Sequence, residues 1–179
     1  MTIGVTMSAV AVPAAMGALA DVRAAGAARY VSARLQRARM EAVLRSRDVG
    51  FCVTPASSTY MFGIYVDGNR NGVLSRDIQG GIDTPLGVVE RLADNFAHVD
   101  FATLPGLPAV DSGSTPPGDD PIRLGASNIA TFTAGGTSSS GSLYIRGAGN
   151  RQLVVRIYGD TGKTRVLKFD IRTRQWRPL

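Results

Sequence analysis

From Ala24 the chain repeats small apolar residues at helical spacing. Ala24, Ala28, Val31, Leu35, Ala38 and Ala42 step by four, three, four, three, four. That is the period of one helix face, and its small-to-medium size suits close packing against a sheet. Arg23, Arg29, Arg34, Arg37, Arg39, Arg45 and Arg47 accompany the stripe, and most fall off it. Gly50, just after Asp48 and Val49, is the expected stop. Upstream, Met1 to Ala20 carries no charged side chain. Twenty helical residues rise about 30 Å, enough to cross the hydrocarbon core of a bilayer. Gly4, Gly17 and Pro13 interrupt the segment, and Pro13 predicts a kink or a locally melted turn. No basic region precedes Ile3, which argues against a cleaved secretory signal. A buried core helix or a poorly ordered tail is the other reading, but so apolar a tail is a solubility liability. The pattern therefore predicts a membrane-anchoring helical segment over 1–20 and an α+β domain over 21–179.

Strand patterns dominate after the helix. VGFCVT and TYMFGIYVD read as two strands joined by PASS, and LGVVERLA with HVDFATL reads as another pair. NIATFTA, GSLYIRG, QLVVRIYG and TRVLKFDIR add four short runs bounded by Gly, Ser, Asn or Asp. Tyr144, Val154, Val155, Ile157, Val166, Leu167 and Phe169 are their expected inward positions. Such antiparallel meanders fit one or two small sheets packed on the helix stripe. The stretch after Leu104, PGLPAVDSGSTPPGDDPIRLGAS, holds five of the nine prolines and predicts an irregular surface loop. TAGGTSSSGS at 133–142 predicts a second, flexible connection. No internal repeat is visible.

Chemistry-bearing residues are sparse. Cys52 is the single cysteine, so neither an intramolecular disulfide nor a cysteine zinc cluster is possible. It lies in an apolar run and is expected to pack as a small hydrophobe. His98 is the single histidine, in an alternating pattern with no nucleophile or carboxylate marked as its partner. No phosphate-cradling glycine loop or metal cluster built on His or Cys is present, and no cofactor is implied. A free-standing enzyme is thus the least supported class. Asp67-Gly-Asn69-Arg-Asn71-Gly72 resembles the start of an oxygen-ligand calcium loop. Its twelfth position is Ile78 rather than an acid, with Asp77 one residue early, so a hairpin turn with Asx hydrogen bonds is the preferred reading.

Charge is segregated along the chain, whose net is +6. Residues 21–48 hold seven arginines and three acids, 49–141 four arginines and nine acids, and 142–179 nine bases and two acids. Basic ends around an acidic middle suit subunit complementarity or a polyanion contact at the C-terminal face, against the plainer reading of a solvated surface.

Four stretches together resemble the pilin-like minor subunits called GspH/FimT, found in type II secretion systems and type IV pili. AVAVPAA is similar to the family's apolar N-terminal helix. LQRARMEAVLRSRDVGF resembles its helix end, where an Ala-Arg and a Glu-Ala pair precede a Val-rich strand. YVDGNRNGVLSRD resembles its Asp-Asn-Gly turn. IATFTAGGTSSSGSLYI and VVRIYGDTGKTRV resemble its closing strands. The order of these stretches, over nearly the whole chain, carries the likeness. The family also has a basic leader, cut after Gly, then Phe-Thr-Leu and a glutamate. Here position 5 is Val5 and no acid precedes Asp21, so the sequence reads as beginning inside the helix.

The resemblance implies a pilin-like α+β fold and a non-enzymatic minor pilin or pseudopilin acting in filament assembly or at a tip. Its partners would be other pilin subunits, met through the N-terminal helix, and the bacterial inner membrane. The chain would cross that membrane once, with the C-terminal domain periplasmic or in a surface filament. Secretion pseudopilus and pilus both stay open. Some relatives in this family bind DNA for natural transformation. For that reading Lys163, Arg165, Lys168, Arg172, Arg174 and Arg177 are the candidate phosphate contacts, with Tyr158 or Trp176 to stack on bases.

Overall fold

The structure is a computed structural model that describes the backbone of residues 4–125 and 127–179, and the side chains of 15–125 and 127–179. Helix α1 (Gly4–Arg45) runs through the molecule. Ala24, Ala27, Ala28, Val31, Leu35, Ala38 and Ala42 are all buried, which is the face the four-three spacing picks out. The helix ends earlier than Gly50. Ser46 takes φ 49°, Arg47 N–H donates to Ala42 O at 3.2 Å and Ser46 N–H to Val43 O at 3.3 Å. That pair of bonds is the Schellman arrangement, with serine in the left-handed position usually taken by glycine. Gly50 serves strand packing instead. A Cβ there would lie 2.7 Å from Val73 Cγ1 and 2.9 Å from Ile129 Cγ2. Of the expected anchor at 1–20, residues 1–3 and the side chains of 4–14, Pro13 among them, lie outside the described residues. Among the described residues no helix is long and apolar enough to cross a membrane.

Strands β1 (Val49–Ala56) and β2 (Thr59–Val66) form the expected hairpin, turning at Ser57 with φ 55°. Then follow α2 (Ser75–Gln79), β3 (Thr84–Pro85), β4 (Glu90–Arg91), α3 (Leu92–Asn95) and β5 (Asp100–Phe101). Next come β6 (Ile122–Arg123), β7 (Ile129–Phe132), β8 (Gly141–Gly147), β9 (Arg151–Tyr158), β10 (Lys163–Asp170) and β11 (Gln175–Pro178). One antiparallel sheet has the order β3-β2-β1-β7, with β4 also on β2. The other runs β11-β10-β9-β8-β5, with β6 also on β8. The expected pairing of LGVVERLA with HVDFATL does not form. Only two residues of each run are strand, and they join different sheets: β4 pairs β2 and β5 pairs β8. Between them α3 drops Leu92 into the core, and His98 sits in a turn at φ 63° rather than in a strand.

Helix α1 packs on both sheets. Val49, Phe51, Val53, Phe62 and Ile64 of the first sheet share one core with Leu143, Ile145, Leu153, Val155 and Ile157 of the second. Phe62 stacks on Phe51 and meets Phe101 edge-on, so aromatic contacts close the seam between the sheets.

The second sheet is buried on its outer face as well. Tyr144, Val154, Leu167 and Phe169 form a separate cluster with Leu107, Leu104, Val110 and Trp176. The proline-rich stretch is irregular, as expected, but it is also the cover of that face. Buried Gln152 fixes the segment that leads into it, accepting from Leu104 N–H at 2.9 Å and donating to Ala102 O at 3.1 Å. Val166, expected inward, is half-buried at the margin of the main core. The serine-rich connection is held rather than loose: Phe132 bridges to Ser138, and Ser138 N–H donates to Gly159 O at 2.8 Å.

This packing gives a direct contrast on one helix. Leu35→Ala is expected to cost roughly 2–5 kcal/mol, the range for emptying a buried leucine site. Arg37→Ala, on the exposed side, is expected to cost under about 0.5 kcal/mol. Chemical denaturation of both variants checks this; equal small effects contradict it.

Candidate functional site

Three regions collect polar or exposed residues: the Asp67 turn, the outward side of α1 and the C-terminal cations. In the turn, Asp67 is buried and accepts from the backbone N–H groups of Asn69, Arg70 and Gly72 at 3.1, 2.7 and 2.8 Å. Asp83 accepts from Gly68 and Leu74 N–H, both at 3.0 Å. Asp77 accepts from the side-chain amides of Asn71 at 2.9 Å and Asn69 at 3.3 Å. The Asn71 amide is the main reason its carboxyl lies below the usual aspartate value. The two asparagines turn amide nitrogens, not oxygens, toward Asp77 Oδ2, and Arg76 Nε lies 3.4 Å from its Oδ1, so both oxygens already face donors. Among the described residues no cluster of His, Cys, Asp and Glu is arranged to hold a metal ion. The turn is a closed hydrogen-bond network that α2 completes.

Along α1 the buried stripe has a counterpart. Leu19, Val22, Met40 and Leu44 are exposed, at 47, 68, 62 and 76%. At 100° per residue these four fall in a sector about 60° wide on the side away from the buried stripe. Met16 and Val43, also exposed, flank it on either side, and Phe96 covers Gly26 in its middle. Arg29 and Arg37 are also exposed on this outer side. The sequence reading missed this second apolar line, because alanine, arginine and glycine interrupt its period. The flanks of α1 are tied down by polar contacts. Tyr30 OH and Arg34 both donate to Glu90, which fastens the short strand β4 to the helix. Burial, then the hydrogen bond to Glu90, pushes the Tyr30 hydroxyl pKa up. Ser32 Oγ lies 2.6 Å from Thr164 Oγ1, and Arg39 Nε donates to Gly136 O at 3.1 Å. Near its N-terminal half, Asp21 accepts from Lys168 at 2.9 Å and from Arg151 at 3.2 Å. The Lys168 hydrogen bond is the largest of the effects that hold the Asp21 carboxyl below its usual value.

The six C-terminal cations do not form one patch. Lys163 and Arg165 share the outer face of β10 with Leu167 and Phe169, while Lys168 points to the helix side. Arg177 lies across from Lys168 and pairs with Asp170 at 3.2 Å. Arg172 sits in the turn after β10, and Arg174 donates to Gly106 O at 2.7 Å. Of the stacking candidates, Tyr158 has Arg156 over its ring at 5.5 Å. Trp176 packs on Tyr144 and Phe169 and donates to Pro108 O at 3.1 Å. Cys52 is buried with Val73 and Ile129, and burial pushes its thiol up to about 11. It is a packing residue with little thiolate at neutral pH.

Two binding outcomes follow. Calorimetry is expected to show no micromolar calcium affinity; such an affinity, abolished by Asp67→Ala, contradicts the closed turn. DNA binding is expected to fall steeply with salt, at about 0.9 in log K per duplex phosphate neutralised, and to vanish near physiological salt. Anisotropy titrations across salt check this. Binding that persists there and is lost in Arg165→Ala/Lys168→Ala, with folding intact, contradicts it.

No curated protein and no solved structure matches the chain. A family model described as type II transport protein GspH matches residues 27–161. The match runs from the middle of α1 to just past β9, so it takes in the helix stripe from Ala27 on, the whole first sheet and most of the second. The chain, a long N-terminal helix on antiparallel sheets in the pilin-like α+β manner, belongs to the GspH family of type II transport proteins.

Proposed function

We propose that the protein is a pseudopilin, a non-enzymatic subunit of a type II secretion pseudopilus. In this reading residues 1–20 hold it in the bacterial inner membrane. Residues 21–179 form the domain on the periplasmic side, and other pilin-like subunits pack against α1. The observation that carries the reading is the outward apolar line of Leu19, Val22, Met40 and Leu44 on a helix whose other face is already buried. A helix apolar on opposite sides has one face for its own core and one for a neighbour. Seating it beside another helix would remove Val22, Met40 and Leu44 from water, with Leu19 continuing the line into the membrane-held segment. The family supports the secretion assignment over the pilus. The DNA-uptake alternative has less behind it: Lys163 and Arg165 lie at the opposite end of β10 from Arg172 and Arg174, Lys168 and Arg177 are paired with Asp21 and Asp170, and Trp176 is packed rather than free to stack.

Deleting the gene is expected to leave type II substrates in the periplasm, with pili and transformation unaffected. The wild-type chain should restore secretion. A Met40→Asp/Leu44→Asp chain should not, although it accumulates folded at the same level. Intact secretion in the deletion strain, with transformation or pili lost, overturns the proposal.

A further inference from the structure

The geometry points to a docking surface for anionic lipid headgroups at the end of the domain from which α1 emerges; this inference rests on the reading of residues 1–20 as membrane-held. Gly17 marks that end, its carbonyl accepting from Arg151 at 2.7 Å. Lys168 and Arg151 both reach Asp21 one turn further on. A Cβ on Gly147 would lie 2.8 Å from Ala24 Cβ, so the end of β8 sits directly against the helix. Strand register puts two turns at this same end. Gly147 pairs with Arg151 across the β8–β9 turn, and Asp170 pairs with Gln175 across the β10–β11 turn.

The charge on this end is only partly matched. Arg151 and Lys168 share Asp21, and Arg177 takes Asp170. Arg146, Arg172 and Arg174 have no carboxylate partner among the described residues. Arg146 donates to Asn150 Oδ1 at 3.2 Å and Arg174 to a backbone carbonyl. Asp100 stands opposite Arg146 in the ladder, but its oxygens accept from Thr59 Oγ1 at 2.5 Å and Phe101 N–H at 2.8 Å. At the tip of the β10–β11 turn Ile171 is 56% exposed beside Arg172.

Unmatched guanidinium groups at the same end of the domain as an exposed isoleucine, next to a helix that leaves it, suit a lipid surface. The arginines meet phosphates while their stems and Ile171 meet the headgroup–acyl boundary. A polynucleotide would use a free aromatic ring as a stacking platform. Trp176 is held by Tyr144, Phe169 and the Pro108 carbonyl. The exposed ring at this end is the small imidazole of His98, beside Arg146 and the β8–β9 turn, and one imidazole is a poor platform for successive bases.

The test is hydrogen exchange on the full chain, reconstituted into vesicles of phosphatidylcholine alone and of phosphatidylcholine with phosphatidylglycerol. Amides of 147–150 and 171–174 should exchange at least about fivefold more slowly on the anionic vesicles, the factor expected from one basic residue near such a surface. High salt should remove the difference, as should Arg146→Gln/Arg172→Gln/Arg174→Gln. Lys163→Gln/Arg165→Gln, at the other end of β10, should leave it unchanged. Equal exchange on the two vesicles overturns the proposal. So does protection of the same amides by a DNA duplex but not by anionic vesicles. Flotation with neutral vesicles tests the anchor separately. If the chain fails to float with them, the membrane-held reading falls. The docking surface is then read from flotation with anionic vesicles: loss of that binding in the triple variant supports it, and absence of binding overturns it.

Discussion

Close approach of α1 to the two sheets is the contact on which the rest depends. It is made by small side chains. Ala27, Ala28, Ala38 and Ala42 are fully buried, and Gly147 lies under Ala24 without room for a Cβ. Larger residues at these positions would lift the helix off the sheets and open gaps between Leu35, Phe51 and Leu153. Interiors pack too densely to tolerate that without strain or cavities. The apolar contact sets the distance, and polar ties at its margins set the register. Glu90 with Tyr30 and Arg34 holds the first sheet, Thr164 with Ser32 holds the second, and Asp21 fixes the N-terminal half.

Two consequences follow from a helix placed this way. Its opposite side keeps an apolar line in the open, which gives a subunit something to offer a neighbour. The second sheet, covered by α1 on one face, needs a cover on the other. The proline-rich stretch and β11 supply it, through Leu104, Leu107 and Trp176. The apolar character of Leu153 to Val155 reflects this double burial.

The helix face was readable from residue order because its period is local. The β1–β2 hairpin and strands β8 to β10 were readable for the same reason. What escaped depends on contacts distant in sequence. β4 and β5 are too short to show which partner they take. The helix stop at Ser46 escaped because serine rarely fills a left-handed cap, while Gly50 gave the usual signal and turned out to be making room for Val73. The cations looked like one basic tract. Their division depends on which side of β10 the helix covers; the contacts of Lys168 with Asp21 and of Thr164 with Ser32 mark that side, and the period of the strand alone does not reveal it. The residues from Asp67 to Gly72 are legible as a turn, but the third carboxylate of its network, Asp83, lies beyond the motif.

The central claim is that α1 has one face committed to the domain and one left open. Single-cysteine labelling tests it most directly, because Cys52 is buried and its thiol, pushed up to about 11, contributes little background. In the folded, detergent-held chain, Met40→Cys should react with a polar maleimide at nearly the rate of a free thiol. A cysteine at Ala38, two residues earlier on the buried stripe, should react only on unfolding. Equal labelling of the two positions in the folded chain would contradict the account.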